Sequence, residues 1–170
     1  VFKYVPTTGL YSMLTGMGVT RKSYVQNGGN ITYEINIGNY TGNDVKNVTI
    51  IDYLPRVGDV DAKGNPRNSE LTPDIKYISP DNKFDLFVSK DTPRLGMTVA
   101  EYDGTATWTQ IYGGANEREL KDVKAFKLVY RGKMSPGIQT TAATFRGVVR
   151  PEDQIKENLG KVINDSFAVR

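Results

Sequence analysis

The chain contains neither cysteine nor histidine. Thiol nucleophiles, disulfides, the usual zinc sites and every triad built on an imidazole base are therefore excluded. The chemistry left to it is that of amines, carboxyls and carboxamides. A few such groups stand singly in alternating, otherwise apolar segments. Lys3 shares a face with Val1 and Val5, and Asp52 shares one with Val48 and Ile50. Near the end of the chain, Asn164 alternates with Val162 and Ala168, whereas its neighbour Asp165 alternates with Ile163, Phe167 and Val169. Burial disfavours charge, so an amine held out of water becomes a nucleophile and a carboxyl held there keeps its proton and can polarise a carbonyl.

Other polar groups have plainer readings. Asp59-Val60-Asp61-Ala62-Lys63-Gly64, with Glu70 further on, imitates a calcium loop. Lys63 stands where such a loop needs Asp or Asn, so a polar turn is preferred and no metal or other cofactor is expected. Asn30, Asn39 and Asn47 each begin an Asn-x-Thr sequon, read as turn Asn beside strand Thr. The aromatics Phe84, Phe87, Tyr102, Trp108 and Tyr112 are scattered. Core packing is their preferred use; a sugar- or protein-binding patch would centre on Trp108 and Tyr112.

Charge narrows the class further. The 22 basic and 19 acidic residues give a net charge of +3 and are interspersed along the chain. The densest stretch, Glu117 to Lys124, carries both signs. Nucleic-acid binders show a basic stripe instead, so none is expected as a partner. The apolar runs are too short for a membrane span, and any export signal or anchor is expected outside this stretch of chain.

The elements that must position these groups read as strands. Period-two alternation is clearest in Ile31–Ile37 and Val48–Leu54, the latter stopped by Pro55. Further candidates are Ile75–Ile78, Phe84–Val88, Thr105–Tyr112, Val123–Arg131, Thr140–Val149 and Lys161–Val169, with turn clusters rich in Gly, Asn and Asp between them. One short helix is expected over Pro151–Leu159. With 170 residues, the expectation is one all-β domain spanning 1–170. It is a sandwich of about 8–10 strands, with an inserted hairpin between about residues 81 and 122.

Three segments in order resemble the immunoglobulin-like repeat domains of Gram-positive cell-wall adhesins and pilins. Gly29-Asn30-Ile31-Thr32-Tyr33-Glu34-Ile35-Asn36-Ile37-Gly38-Asn39 is similar to one strand of that family, and Asn47-Val48-Thr49-Ile50-Ile51-Asp52-Tyr53-Leu54-Pro55 to another. Ile163-Asn164-Asp165-Ser166-Phe167-Ala168-Val169 resembles its closing strand, and Val57–Asp61 with Arg67-Asn68-Ser69 looks like a loop of larger members. The resemblance implies an immunoglobulin-like, collagen-adhesin-type sandwich. It also implies an intramolecular amide from a lysine on the first strand to an Asn or Asp on the last, promoted by a nearby carboxyl.

On this chain the amide would join Lys3, with Lys22 as alternative, to Asn164 or Asp165, with Asp52 as the promoting acid. Asn would lose ammonia and Asp would lose water. The bond needs the opening and closing strands to lie beside each other. The expected role is a non-enzymatic structural or adhesive module on the outside of the bacterium, with a host extracellular-matrix protein or a glycan, and neighbouring domains of its own chain, as partners. The alternative is a carbohydrate-binding module of a secreted enzyme.

Overall fold

The computed structural model describes the backbone of residues 2–4, residues 29–149, and residues 163, 165 and 167–169. The expected helix over 151–159, together with Lys22 and Asn164, lies outside the described residues. In chain order the elements are β1 (Phe2–Tyr4), β2 (Asn30–Gly38), β3 (Val45–Lys46), β4 (Thr49–Tyr53), β5 (Asp74–Pro80) and β6 (Phe84–Ser89). They continue with α1 (Val99–Thr105), β7 (Thr109–Ile111), β8 (Ala115–Asn116), β9 (Ala125–Tyr130), β10 (Lys133–Met134), β11 (Gln139–Val148) and β12 (Phe167–Val169).

Two antiparallel five-stranded sheets form, ordered β1-β2-β11-β5-β8 and β12-β4-β9-β6-β7, with β10 and β3 pairing as a small separate ladder. The alternation of β2 decides its orientation. Ile31, Tyr33, Ile35 and Ile37 are buried, and the residues between them are half-buried. They meet Ile50, Leu86, Phe126 and Leu128 of the second sheet in one apolar core. Phe145 of β11 stacks on Tyr33 with ring centroids 4.5 Å apart and meets Phe126 of β9 edge-on at 5.3 Å, so the two sheets interlock through aromatics. A register shift between Thr141 and Ala143 buries both Ala142 and Ala143, as a bulge does.

The first and last strands are not ladder partners. β1 is the edge strand of one sheet beside β2, and β12 is the edge strand of the other beside β4. They border the core from opposite layers instead of extending the same one.

The stretch expected as an insertion is built otherwise. β6 is an interior strand, flanked by β9 and β7, because Phe84, Leu86 and Val88 alternate inward. The longest piece of it outside the ladders is the connection from Lys90 to Trp108. Within it Thr98-Val99-Ala100-Glu101 makes a capping box and starts α1, so the strand expected over Thr105–Tyr112 shrinks to β7. This connection covers the outer face of the second sheet, where Ile51, Tyr53 and Ala125 pack with Val60, Tyr102, Met97, Val99 and Trp108 in a second apolar cluster. Tyr102 meets Tyr53 and Trp108 edge-on at 5.1 and 5.7 Å. Asn39 is buried, donating to the Met134 and Asn43 carbonyls and accepting from the Thr41 N–H and hydroxyl. Asn47 takes the left-handed φ of 57°. Both are turn residues, as read from their sequons.

Candidate functional site: a buried carboxyl–guanidinium cluster

β4 carries Asp52 on the inner face, in step with Ile50 and opposite Phe126 of β9 and Phe167 of β12. Its side chain is wholly buried. Two residues before Phe167, Asp165 reaches the same interior, its side chain 4% exposed.

The loop after β4 supplies the charge that faces them. Pro55 ends the strand, Gly58 turns the chain at φ +73°, and Val60 pairs with Pro66 across a reversal at Gly64, φ +82°. This small hairpin sets Arg67 against Asp59, with the Arg67 N–H donating to the Asp59 carbonyl at 3.0 Å. The Arg67 guanidinium is 5% exposed. Its Nε and Nη2 both donate to Asp59 Oδ2, at 2.8 and 2.5 Å, and Nη2 also donates to the Tyr53 carbonyl at 2.8 Å. Asp59 Oδ2 is steadied by the Arg56 N–H at 3.0 Å and the Ser69 hydroxyl at 3.2 Å. The remaining arm, Nη1, donates to Asp165 Oδ1 at 3.1 Å.

Electrostatics follow from this arrangement. Burial pulls the Arg67 pKa down, but the carboxylates of Asp165 and Asp59 more than reverse it, and the guanidinium stays charged. Tyr33, on β2, is pushed well above its ordinary pKa, first by burial and then by Asp165 and Asp52. Phe167 of β12 is registered opposite Asp52 of β4, and Asp165 stands two residues before it on the same chain segment. Asp52, Asp59 and Asp165 thus share a dry region with one described guanidinium.

Lys3 enters through its backbone. Its backbone is registered opposite Ile35, two residues along β2 from Tyr33. The residues singled out in sequence therefore separate. Asp52 and Asp165 are both buried in the described structure, Lys3 is described by its backbone alone, on the strand beside β2, and Lys22 and Asn164 fall outside the described residues. Sequence reasoning missed Arg67 and Tyr33 as members of the site. Tyr33 was available from the alternation of β2; Arg67 had only its place beside Asn68 and Ser69 to mark it.

The other candidates have structural uses. Asp59 is turned to Arg67, and Asp61 Oδ1 accepts from the Lys63 and Asn65 N–H groups and closes the turn. Glu70 is exposed. Among the described residues no group of three acidic, His or Cys side chains could hold a metal. Trp108 is half-buried, with Lys127 Nζ 4.4 Å from its ring centroid. Tyr112 is 83% exposed, on the turn after β7. These two do not make a common aromatic platform.

The described residues form a mostly-β protein of two five-stranded antiparallel sheets that buries the side chains of Asp52, Asp59 and Asp165. No protein-family model matches the chain, and neither the curated proteins nor the solved structures compared with it give a match.

Proposed function

We propose that the chain is a structural or adhesive module of a bacterial cell-surface protein, an immunoglobulin-like sandwich tied by an amide between Lys3 and Asp165. The observation that carries this reading is the pair of buried carboxyls, which both raise the Tyr33 pKa. The backbone register of Lys3 and the burial of the Asp52 and Asp165 side chains support this reading.

The burial of Asp165 favours it over Asn164 as the acyl partner. A neutral lysine amine attacks Cγ of a protonated Asp165, the C–N bond forms, the C–Oδ2 bond breaks and water leaves. Asp52 relays the proton from the attacking nitrogen to the departing oxygen. The reaction runs once per molecule and removes an amine and a carboxyl from the buried charge balance. With its outer ladders joined, the module suits a spacer or binding arm exposed to force. Its partners would be a host matrix protein or a glycan, together with the adjoining domains of its own chain. The carbohydrate-module alternative would lean on Trp108, whose ring is engaged by Tyr102 and Lys127.

Intact mass of the purified chain tests the proposal. The expected species is one water lighter than the sequence, with a peptide joining residues 3 and 165. Loss of ammonia would move the partner to Asn164, and an unaltered mass would remove the amide and the reading that depends on it.

A further inference from the structure

We infer that Arg67 is the oxyanion-stabilising catalytic residue of the amide-forming step, with Asp59 as its positioning residue. This rests on the Lys3–Asp165 amide proposed above. Arg67 touches a reacting atom, since Nη1 lies 3.1 Å from Asp165 Oδ1. Attack at Cγ turns that oxygen into the oxyanion of a tetrahedral intermediate, and the same N–H then faces a full negative charge. The donor is fixed before the reaction begins. Nε and Nη2 are committed to Asp59, Nη2 is shared with the Tyr53 carbonyl, and Asp59 is itself pinned by Arg56 and Ser69. Such a donor in a dry site needs no reorganisation when charge develops.

The guanidinium is shared: Asp59 Oδ2 receives two of its arms and Asp165 Oδ1 a third. The step starts from the acid form of Asp165, and the attacking nitrogen supplies, through Asp52, the second proton that the departing oxygen needs. As the intermediate collapses, Oδ1 becomes the amide carbonyl and still accepts from Nη1, while Oδ2 leaves as water. Atoms and charge balance with no further reagent.

The experiment follows amide formation by intact mass as the full chain, purified in denaturant, is refolded. For Arg67→Gln we expect a folded protein by circular dichroism, with the water-loss step slowed by about 100-fold or more, the range found when a single oxyanion donor is removed. Arg67→Lys should recover part of the rate. Arg67→Gln that folds and closes the bond at the parental rate would overturn the assignment.

Asp59→Asn covers the case in which Arg67→Gln does not fold. It keeps an acceptor in place but removes the ion pair that holds the guanidinium, so the donor to Asp165 Oδ1 is no longer fixed and the water-loss step slows, with Asp59→Glu restoring part of the rate. An Asp59→Asn variant that folds and closes the bond at the parental rate would also overturn the assignment. If the parent chain loses ammonia, the Arg67 role falls while the cross-link stands. If it loses nothing, both fall.

Discussion

Tyr33 shows what this cluster demands of a single side chain. Its ring stacks on Phe145, and its hydroxyl lies in the field of Asp52 and Asp165, which with burial holds it neutral well past the usual tyrosine range. A raised pKa for an acid makes folding favour the protonated form. That contribution is intact below pH ~10, where the unfolded chain's tyrosine begins to ionise, and declines as pH rises towards the folded value. Each such tyrosine lowers stability by about 1.4 kcal/mol per pH unit in that window. Tyr33→Phe keeps the stacking and removes the titration. Urea unfolding between pH 10 and 12 should therefore show a shallower fall for the variant, by about that slope; equal slopes would place the alkaline loss elsewhere.

At this scale the sequence was informative where side chains alternate. Asp52 could be placed on the inward face by period two alone, while alternation left Asn164 and Asp165 both open and only the latter is described, with a buried side chain. Arg67 could not be placed in this way, because it rides a loop whose path depends on Gly58, Gly64 and the Val60–Pro66 bridge, and loop geometry leaves no periodic trace.

Among the elements, β4 is the most constrained. Ile50 and Asp52 face the main core, while Ile51 and Tyr53 face the cluster beneath the 90–108 connection, so the strand is buried on both sides. That the covering would come from the segment after β6 was hidden, because residues 81–122 mix strand, helix and turn signals that only tertiary packing arranges. The capping box at Thr98 and Glu101 starts α1, a helix not expected from the sequence.

The covering segment is held backbone to backbone. Gly96 N–H donates to the Gly64 carbonyl and Val99 N–H to that of Ala62. A Cβ at Gly64 would lie 2.7 Å from the Met97 nitrogen, at a φ that side chains rarely adopt. Gly64→Ala should cost more than about 1 kcal/mol. It should also speed hydrogen exchange at the Gly96 and Val99 amides while those of β9 stay protected. Uniform protection would show that the contact can shift without penalty.

For the whole molecule, the position of the two terminal strands matters most. Neither is an interior strand, so neither is secured by neighbours on both sides. An amide from residue 3 to residue 165 would close nearly the entire chain into a loop. The entropy taken from the unfolded state, reasoned as for a disulfide, is worth about 5 kcal/mol. Lys3→Arg keeps a cation but has no amine to condense. It should lower stability to denaturant by about that amount while leaving the β-sheet circular dichroism unchanged. A variant as stable as the parent would show that the tie adds little.

The 90–108 connection also gives the sandwich a roofed back. Lys90 and Arg94 are exposed upon it, offering trypsin-like proteases a purchase outside the ladders. A nick there would leave the hydrogen-bonded sheets standing but loosen the lid over Ile51, Tyr53 and Ala125. The injured molecule would then turn sticky before it unravelled. In a concentrated solution of the protein, damage at this one stretch would announce itself as clumping, with the strands themselves still in place.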